Sequence, residues 1–565
     1  MNVLKPFVLG LCLALLLVGL TSEAEAFPID ENNTLSLGAK LQTRTTFRLQ
    51  DAEKNGYTYP QDTKVGDLVQ WRNLGVIEIN HDLEELTQDL DILWPFKKFE
   101  IQTKYRLVGR FMYEALYDVG SDGFKAVRDD DEENIDKFKQ AYDLWEFYFD
   151  FSRGPWFLRI GRQILAWGET DIFRLLDGIN PLDNTFGGPF EDLDDRRIPL
   201  WMLRASYNLG NLGPFYSSSI EGFWVPGNWD AKVAPWAPFG TPYMAPDPEK
   251  SVYGRLFVNQ PAKEMSNSRW GGRLQWAFGT DMNCSVAHYQ SFLDAGSPYF
   301  VVTESVPAGR PLLDLSALRA IVEYPSLQVT GGSMTYSESM TNIVFRGEIA
   351  QFWDEPLFEI SQNGRPILAD YIPLAPAVLD AIAVYAGEDP RSFGLYGLPL
   401  SPQSGNIAKR NILRWMVGFD KMIWVRPLNR TSMFMTSFQY FGQWIQDYHD
   451  GTILPAVIPD KFVPNTVNQI TGEPVPDYLQ FPKVKETEHI VTALFNTNYL
   501  KGSLSPQMAL AYDLRGVWLL LPSISYIREP FRFGIQYAGV VGNYTSFGLV
   551  RDRDQIAFTF TYLLN

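Results

Sequence analysis

Along most of this chain apolar and polar residues alternate one by one. From Gln555 to Leu564, Ile556, Phe558, Phe560, Tyr562 and Leu564 share one face, and Gln555, Ala557, Thr559 and Thr561 share the other. Strand side chains have a period of two, so this pattern predicts a strand that is apolar and aromatic on one side only. Leu35 to Leu49 repeats it with Lys40, Gln42, Arg44, Thr46 and Arg48 on the polar face, and is longer than an ordinary soluble strand. Lys98 to Tyr113 sets Phe99, Ile101, Tyr105, Leu107, Phe111 and Tyr113 against Lys98, Glu100, Gln102, Lys104, Arg106 and Arg110. Trp145, Phe147, Phe149 and Phe151 alternate with Glu146, Tyr148 and Asp150, then Arg153-Gly154-Pro155 turns into Trp156, Leu158 and Ile160. Similar runs lie in 270–278, 343–352, 413–423, 491–499 and 531–537.

Such strands can cross a membrane only if the sheet closes, because an open edge leaves backbone groups unsatisfied in lipid. The expected fold is therefore all-β, a transmembrane antiparallel β-barrel of about 16 to 18 strands with long loops and an internal constriction. After residue 26 the longest apolar run is Val517 to Leu521, far short of the roughly 20 residues of a spanning helix. A soluble sandwich would use shorter strands, and a propeller would show a repeat that is absent here. Hydrophobic residues at 45% and aromatics at 14% suit an alternating wall with aromatic rims.

The first 26 residues read differently. Lys5, the apolar run Phe7 to Leu20 and Ala24-Glu25-Ala26 form a secretion signal, with cleavage expected near Ala26 and a single barrel over 27–565. Removing it takes Cys12 and leaves Cys284, so no intramolecular disulfide is expected. The formal charge of −17 argues against nucleic acid as a partner, which requires a basic stripe. Its acidic patches, Asp129 to Glu133 and Glu191 to Asp195, are expected as solvated loop tips.

Lys98, Lys104, Arg106, Arg110, Glu146 and Asp150 are expected to line the lumen, where opposed rows would either set a transverse field or neutralise one another as a cross-strand ladder. Three long connections, 226–267, 354–407 and 446–486, are rich in Pro and Gly yet not polar. They carry Trp229, Trp236, Phe239, Tyr243 and Met244, then the run 372–385 with a short helix at Pro376 to Ala386, then the run 453–463. Loops of this kind either shelter an apolar ligand or pack as a plug or oligomer contact. His81, His288, His449 and His489 belong to no nucleophile motif, and no metalloprotease, phosphate-loop or Cys-x-x-Cys pattern occurs, so neither an enzyme nor a cofactor is expected.

Gly161-Arg162-Gln163-Ile164-Leu165-Ala166-Trp167-Gly168-Glu169-Thr170, then Ile179-Asn180-Pro181, then Leu413 to Asp420 and Arg551 to Gln555, occur in an order that resembles the domain-of-unknown-function 1302 family of proteobacterial outer-membrane barrels. The resemblance implies an outer-membrane location in a Gram-negative bacterium. It also implies contact with outer-membrane lipids and association with a periplasmic carrier and an inner-membrane pump for hydrophobic compounds, and it supplies no catalytic residue. The terminal Asn565 departs from the aromatic residue on which such barrels usually stop.

Within this segment Arg159 and Gln163 should face the lumen, and the chain should leave the wall near Trp167. Thr170 is placed to cap a short helix through Asp171, Phe173, Arg174 and Leu176, stopped by Gly178. That helix either enters the barrel, with Arg159, Arg162, Gln163, Trp167, Glu169, Asp171, Arg174, Asp177 and Asn180 forming a constriction, or lies on a surface loop. The function expected is an outer-membrane channel or transporter for hydrophobic or amphipathic compounds. A general or anion-preferring porin, or a structural or receptor barrel, are the alternatives, and the oligomeric state stays open.

Overall fold

The computed structural model describes residues 27–28, 34–51, 63–84, 98–130, 132–171, 173–183, 185, 190–191, 193–235, 255–293, 297–302, 318–359, 409–450, 452–453, 458–463, 478–480 and 483–564. The signal segment, Trp236, Phe239, Tyr243, Met244, the run 372–385 and the Pro376 to Ala386 helix lie outside the described residues.

The wall strands are β1 (Leu35–Arg48), β2 (Leu68–Asp82), β3 (Gln102–Glu114), β4 (Gln140–Arg153), β5 (Trp156–Gln163), β6 (Leu200–Leu212), β7 (Phe215–Val225), β8 (Arg269–Phe278) and β9 (Met282–Phe292). They continue as β10 (Ser326–Glu338), β11 (Ile343–Pro356), β12 (Lys409–Ile423), β13 (Phe434–Ile445), β14 (Thr487–Asn496), β15 (Leu504–Asp513), β16 (Val517–Arg528), β17 (Phe531–Gly542) and β18 (Gln555–Leu564). Each pairs antiparallel with the next, and β18 returns to β1 through Ala39↔Leu564 to Arg48↔Gln555. This is a closed barrel of 18 strands, an even number that puts the start of β1 and the end of β18 at one rim. Beyond the end of β18, Phe27 and Pro28 extend the pairing against Leu37 and Ser36.

The two faces divide as the alternation dictates. On β18, Phe558 and Phe560 are exposed outward while Gln555, Ala557 and Thr561 are buried inward. Trp71, Trp224, Trp270, Trp353, Trp444 and Trp518 are all outward, partly exposed and near the same ends of their strands. At the opposite ends Trp156, Phe215, Phe278, Phe345, Tyr526 and Phe533 form the facing ring. The outer surface between them is apolar, the arrangement of a membrane-spanning barrel with aromatic girdles around a band of about 25 Å.

One rim carries tight connections such as Gly154-Pro155, Gly213-Pro214 and Glu529-Pro530, whereas the other carries most of the long ones. The described parts of the long connections include short strand pairs. Arg255–Asn259, Ser297–Val302 and Leu318–Glu323 pair as a small sheet, so 226–267 is joined to a fourth long connection, between β9 and β10. Phe358–Glu359 pairs with Thr452–Ile453, and Ile458–Val463 pairs with Tyr478–Gln480. Asp129, Glu132 and Glu133 are exposed, as expected of solvated acidic residues, but they lie on α1 (Asp122–Asp130) and the start of α2 (Glu132–Lys139) rather than on a bare loop tip. Phe124 and Ile135 from these helices are buried with Leu116, Tyr117 and Val69.

Candidate functional site

The connection from β5 to β6, residues 164–199, runs from the long-loop rim into the barrel. Leu165, Trp167, Leu175, Leu176 and Ile179 form one apolar core with inward side chains of successive wall strands, among them Met202, Phe223, Tyr289, Val329, Ala350, Met416 and Phe441. Farther along, Phe190 packs on Ala511, Val517, Leu519, Ala538 and Val540 of β15, β16 and β17. The segment therefore crosses the lumen from one side of the wall to the other.

Among the described residues no helix forms where Thr170 was expected to cap one. The backbone groups that a helix would satisfy internally are taken by the wall. Glu348 on β11 accepts the Glu169 N–H at 2.7 Å and the Leu176 N–H at 2.6 Å, and Tyr289 Oη accepts the Gly178 N–H at 3.2 Å. Gly331 on β10 makes room for this approach, since a Cβ there would lie 2.7 Å from Leu176 Cδ2.

Each expected constriction residue has a definite place. Trp167 is buried against Phe223 and Tyr289, and its indole N–H donates to Glu221 at 2.6 Å. Glu221 is also held by Arg204 at 2.6 Å and Arg273 at 3.1 Å. Asp171 receives two hydrogen bonds from Arg346, at 2.8 and 2.7 Å, and others from Ser437 and Gln439, both at 3.1 Å. The Glu169 carbonyl accepts from Arg346 at 2.8 Å. Arg174 folds back on its own loop, donating to the carbonyls of Asp177 and Asn180. Asp177 is clamped by Arg197 at 2.5 Å. Asn180 accepts from Leu165 N–H at 2.9 Å and donates to the Ile198 carbonyl at 2.8 Å, fixing the two arms of the segment together.

The three wall members of the set are tied up elsewhere. Arg159 forms a two-pronged pair with Asp150 at 2.6 and 2.8 Å. Gln163 donates to the Met202 carbonyl at 3.1 Å inside the wall. Arg162 is buried against Asp143 and donates to the Leu144 carbonyl at 2.6 Å. The structure thus brings Trp167, Glu169, Asp171, Arg174, Asp177 and Asn180 into the infolded segment and leaves Arg159, Arg162 and Gln163 in the wall.

The lumen charges form the cross-strand ladder rather than a bare field. Lys104 pairs with Asp82 at 2.9 Å, and Arg106 bridges Glu78 and Glu146, the latter at 3.0 Å. Lys98 lies outside the wall, in the turn before β3, with its ammonium 5.8 Å from the Phe99 ring centre. Glu191 is not a solvated loop tip: it is buried and takes hydrogen bonds from Gln70 and Arg72, both at 2.8 Å. Burial alone would raise its carboxyl pKa, but Arg72 and Arg44 outweigh that and hold it at about 2.

What the segment leaves open is a cavity of about 460 Å³ against β1 to β4, reached also by Asp194 and Asp195. Its wall has an aliphatic strip, Leu74, Val76, Val108 and Leu563, beside Lys40, Glu78, Asn80 and Arg110, with Trp145 at one side. Register places Leu563, Lys40, Val76 and Arg110 in one row across four neighbouring strands. Arg110 donates to the Asp195 carbonyl at 3.3 Å and lies 4.3 Å from the Trp145 ring centre. This strip was not among the expected lumen residues. Its signal is Val76-Ile77, adjacent apolar residues in a barrel strand, one of which must face inward.

The fold and the infolded loop define a membrane-spanning β-barrel whose lumen is narrowed by its own chain. The family described as "Protein of unknown function (DUF1302)" matches residues 7–564, and the chain belongs to it. No curated protein matches the sequence. Solved structures that it resembles include OccK3 (OpdO) of Pseudomonas aeruginosa, at 8% identity and a TM-score of 0.43 over 94% of this chain and 95% of that one. OccK9 (OpdG) of the same organism gives 10% and 0.42 over 96% and 100%. OccAB3 of Acinetobacter baumannii gives 9% and 0.42 over 93% and 98%.

Proposed function

We propose that the protein is an outer-membrane channel for amphipathic molecules, with residues 164–199 as its constriction and the cavity beside β1 to β4 as its ligand path. The observation that carries this reading is the aliphatic strip of Leu74, Val76, Val108 and Leu563 on the lumen side of the wall, next to Arg110 and Lys40. An aqueous porin gains nothing from burying aliphatic side chains in its water path, whereas an alkyl chain gains about 0.8 kcal/mol for each methylene it removes from water. Lys40 beside the strip faces the Asp195 carboxylate at 3.8 Å, which leaves Arg110 as the cation that suits an anionic headgroup. Tight turns at one rim and long connections at the other match the periplasmic and external ends of outer-membrane barrels.

The test is planar-bilayer conductance of the refolded protein together with binding of a fluorescent fatty-acid analogue. Small conductance with saturable binding of the analogue supports the reading. Large steady conductance without binding overturns it in favour of an aqueous porin.

A further inference from the structure

We propose that the wall opens sideways between β4 and β5, so that an anionic amphiphile in the outer leaflet of the membrane enters the cavity between Leu144 and Arg162. This route rests on reading the cavity as a site for amphiphiles.

The wall is thin at this seam. β5 is 8 residues long, and its register covers only Phe147 to Arg153 of the 14-residue β4. Among the described residues, Gln140 to Glu146 therefore has no strand partner on the β5 side. An unpaired edge facing lipid is costly, and a side chain covers it. Arg162 reaches back to Asp143 and to the Leu144 carbonyl, and reaches sideways to the Pro199 carbonyl at 3.3 Å. Closure by one guanidinium is reversible in a way that a hydrogen-bonded ladder is not.

The cavity lies directly behind. Register steps from Val108↔Glu146 to Gly109↔Leu144, which leaves Trp145 as the extra residue of a bulge. Trp145 lines the cavity and sits between two cations, 4.3 Å from Arg110 and 5.9 Å from Arg162, measured from guanidinium carbon to ring centre. Outside, Tyr142 and Leu144 are exposed on the lipid-facing side, with Tyr142 against Phe111. An alkyl chain would meet Leu144 first. Its carboxylate would compete with Asp143 for Arg162 and then pass to Arg110 as Trp145 swings aside.

The experiment uses the full chain in liposomes, in a Val76→Cys, Cys284→Ser background, and a long-chain fatty acid as probe, read by how fast the Val76→Cys thiol becomes protected from a charged thiol reagent. The probe is either preloaded in the membrane or added from water on an albumin carrier. Asp143→Ala, which loosens the seam and leaves Arg162 to the carboxylate, is expected to raise the ratio of membrane-route to water-route entry about tenfold, the factor for about 1.4 kcal/mol in a closed-to-open equilibrium, and Arg162→Ala, which opens the seam but removes that partner, to raise it less. Leu144→Trp, which leaves the Arg162 contacts in place, is expected to lower that ratio. The portal is overturned if all three variants keep the wild-type ratio, or if the wild type takes the probe only from water. Binding from neither side overturns the amphiphile reading, and the portal with it.

Discussion

Asp171 and Arg346 are 175 residues apart in sequence, yet both carboxylate oxygens of the first accept hydrogen bonds from the guanidinium of the second. The pair joins the infolded segment to β11, and Arg346 extends it to Asp420 on β12 at 2.8 Å. If this contact holds the segment across the lumen, Asp171→Ala and Arg346→Ala should each give a larger and noisier unit conductance. The double variant should add little to either single one, with a coupling of about 1–3 kcal/mol in a stability cycle.

Glu348 satisfies two backbone N–H groups of the segment at once. Glu348→Ala leaves both unpaired in a buried site, at about 1–3 kcal/mol each. Limited proteolysis of the folded barrel should then cut within 169–176, where the wild type resists. Glu348→Gln keeps one acceptor oxygen and should fall between the two.

Leu176 is fully buried among wall side chains. Leu176→Ala should lower unfolding stability by about 2–5 kcal/mol through the cavity it leaves, measured by urea titration in detergent micelles. An unchanged midpoint would mean that the segment does not pack inside the barrel.

The ionised Glu191 carboxylate ties the second arm of the segment to Arg72. Its folded pKa of about 2 lies below the ordinary glutamate value of 4.5, so its contribution is fully present above about pH 4.5 and is lost as pH falls through 2. Conductance steps should therefore keep their size from pH 7 down to about pH 4.5 and change only in stronger acid. In Glu191→Gln that acid transition should disappear.

Much of the barrel is legible from the alternation alone. Phe558 and Phe560 lie outward on β18 as their spacing requires, and Gly154-Pro155 turns the β4–β5 hairpin where the Arg153-Gly154-Pro155 pattern places it. The interior is less legible because its partners are distant in sequence. The expected helix at Asp171 to Leu176 has suitable residues and a cap, yet Glu348 and Arg346 from β11 and Gln439 from β13 take its polar groups. Likewise Lys104 and Arg106 have the spacing of a lumen row opposite Glu146, but only strand register reveals Asp82 and Glu78 beside them. Arg162 lies in the recognisable Gly161 to Thr170 stretch, yet its partner Asp143 belongs to the preceding strand.

The most direct test of an amphiphile path is thiol protection at Val76. In a Cys284→Ser background, Val76→Cys should react with a charged, membrane-impermeant thiol reagent, and a saturating fatty-acid analogue should suppress that reaction. Labelling at the same rate with and without the analogue would contradict the proposed ligand path.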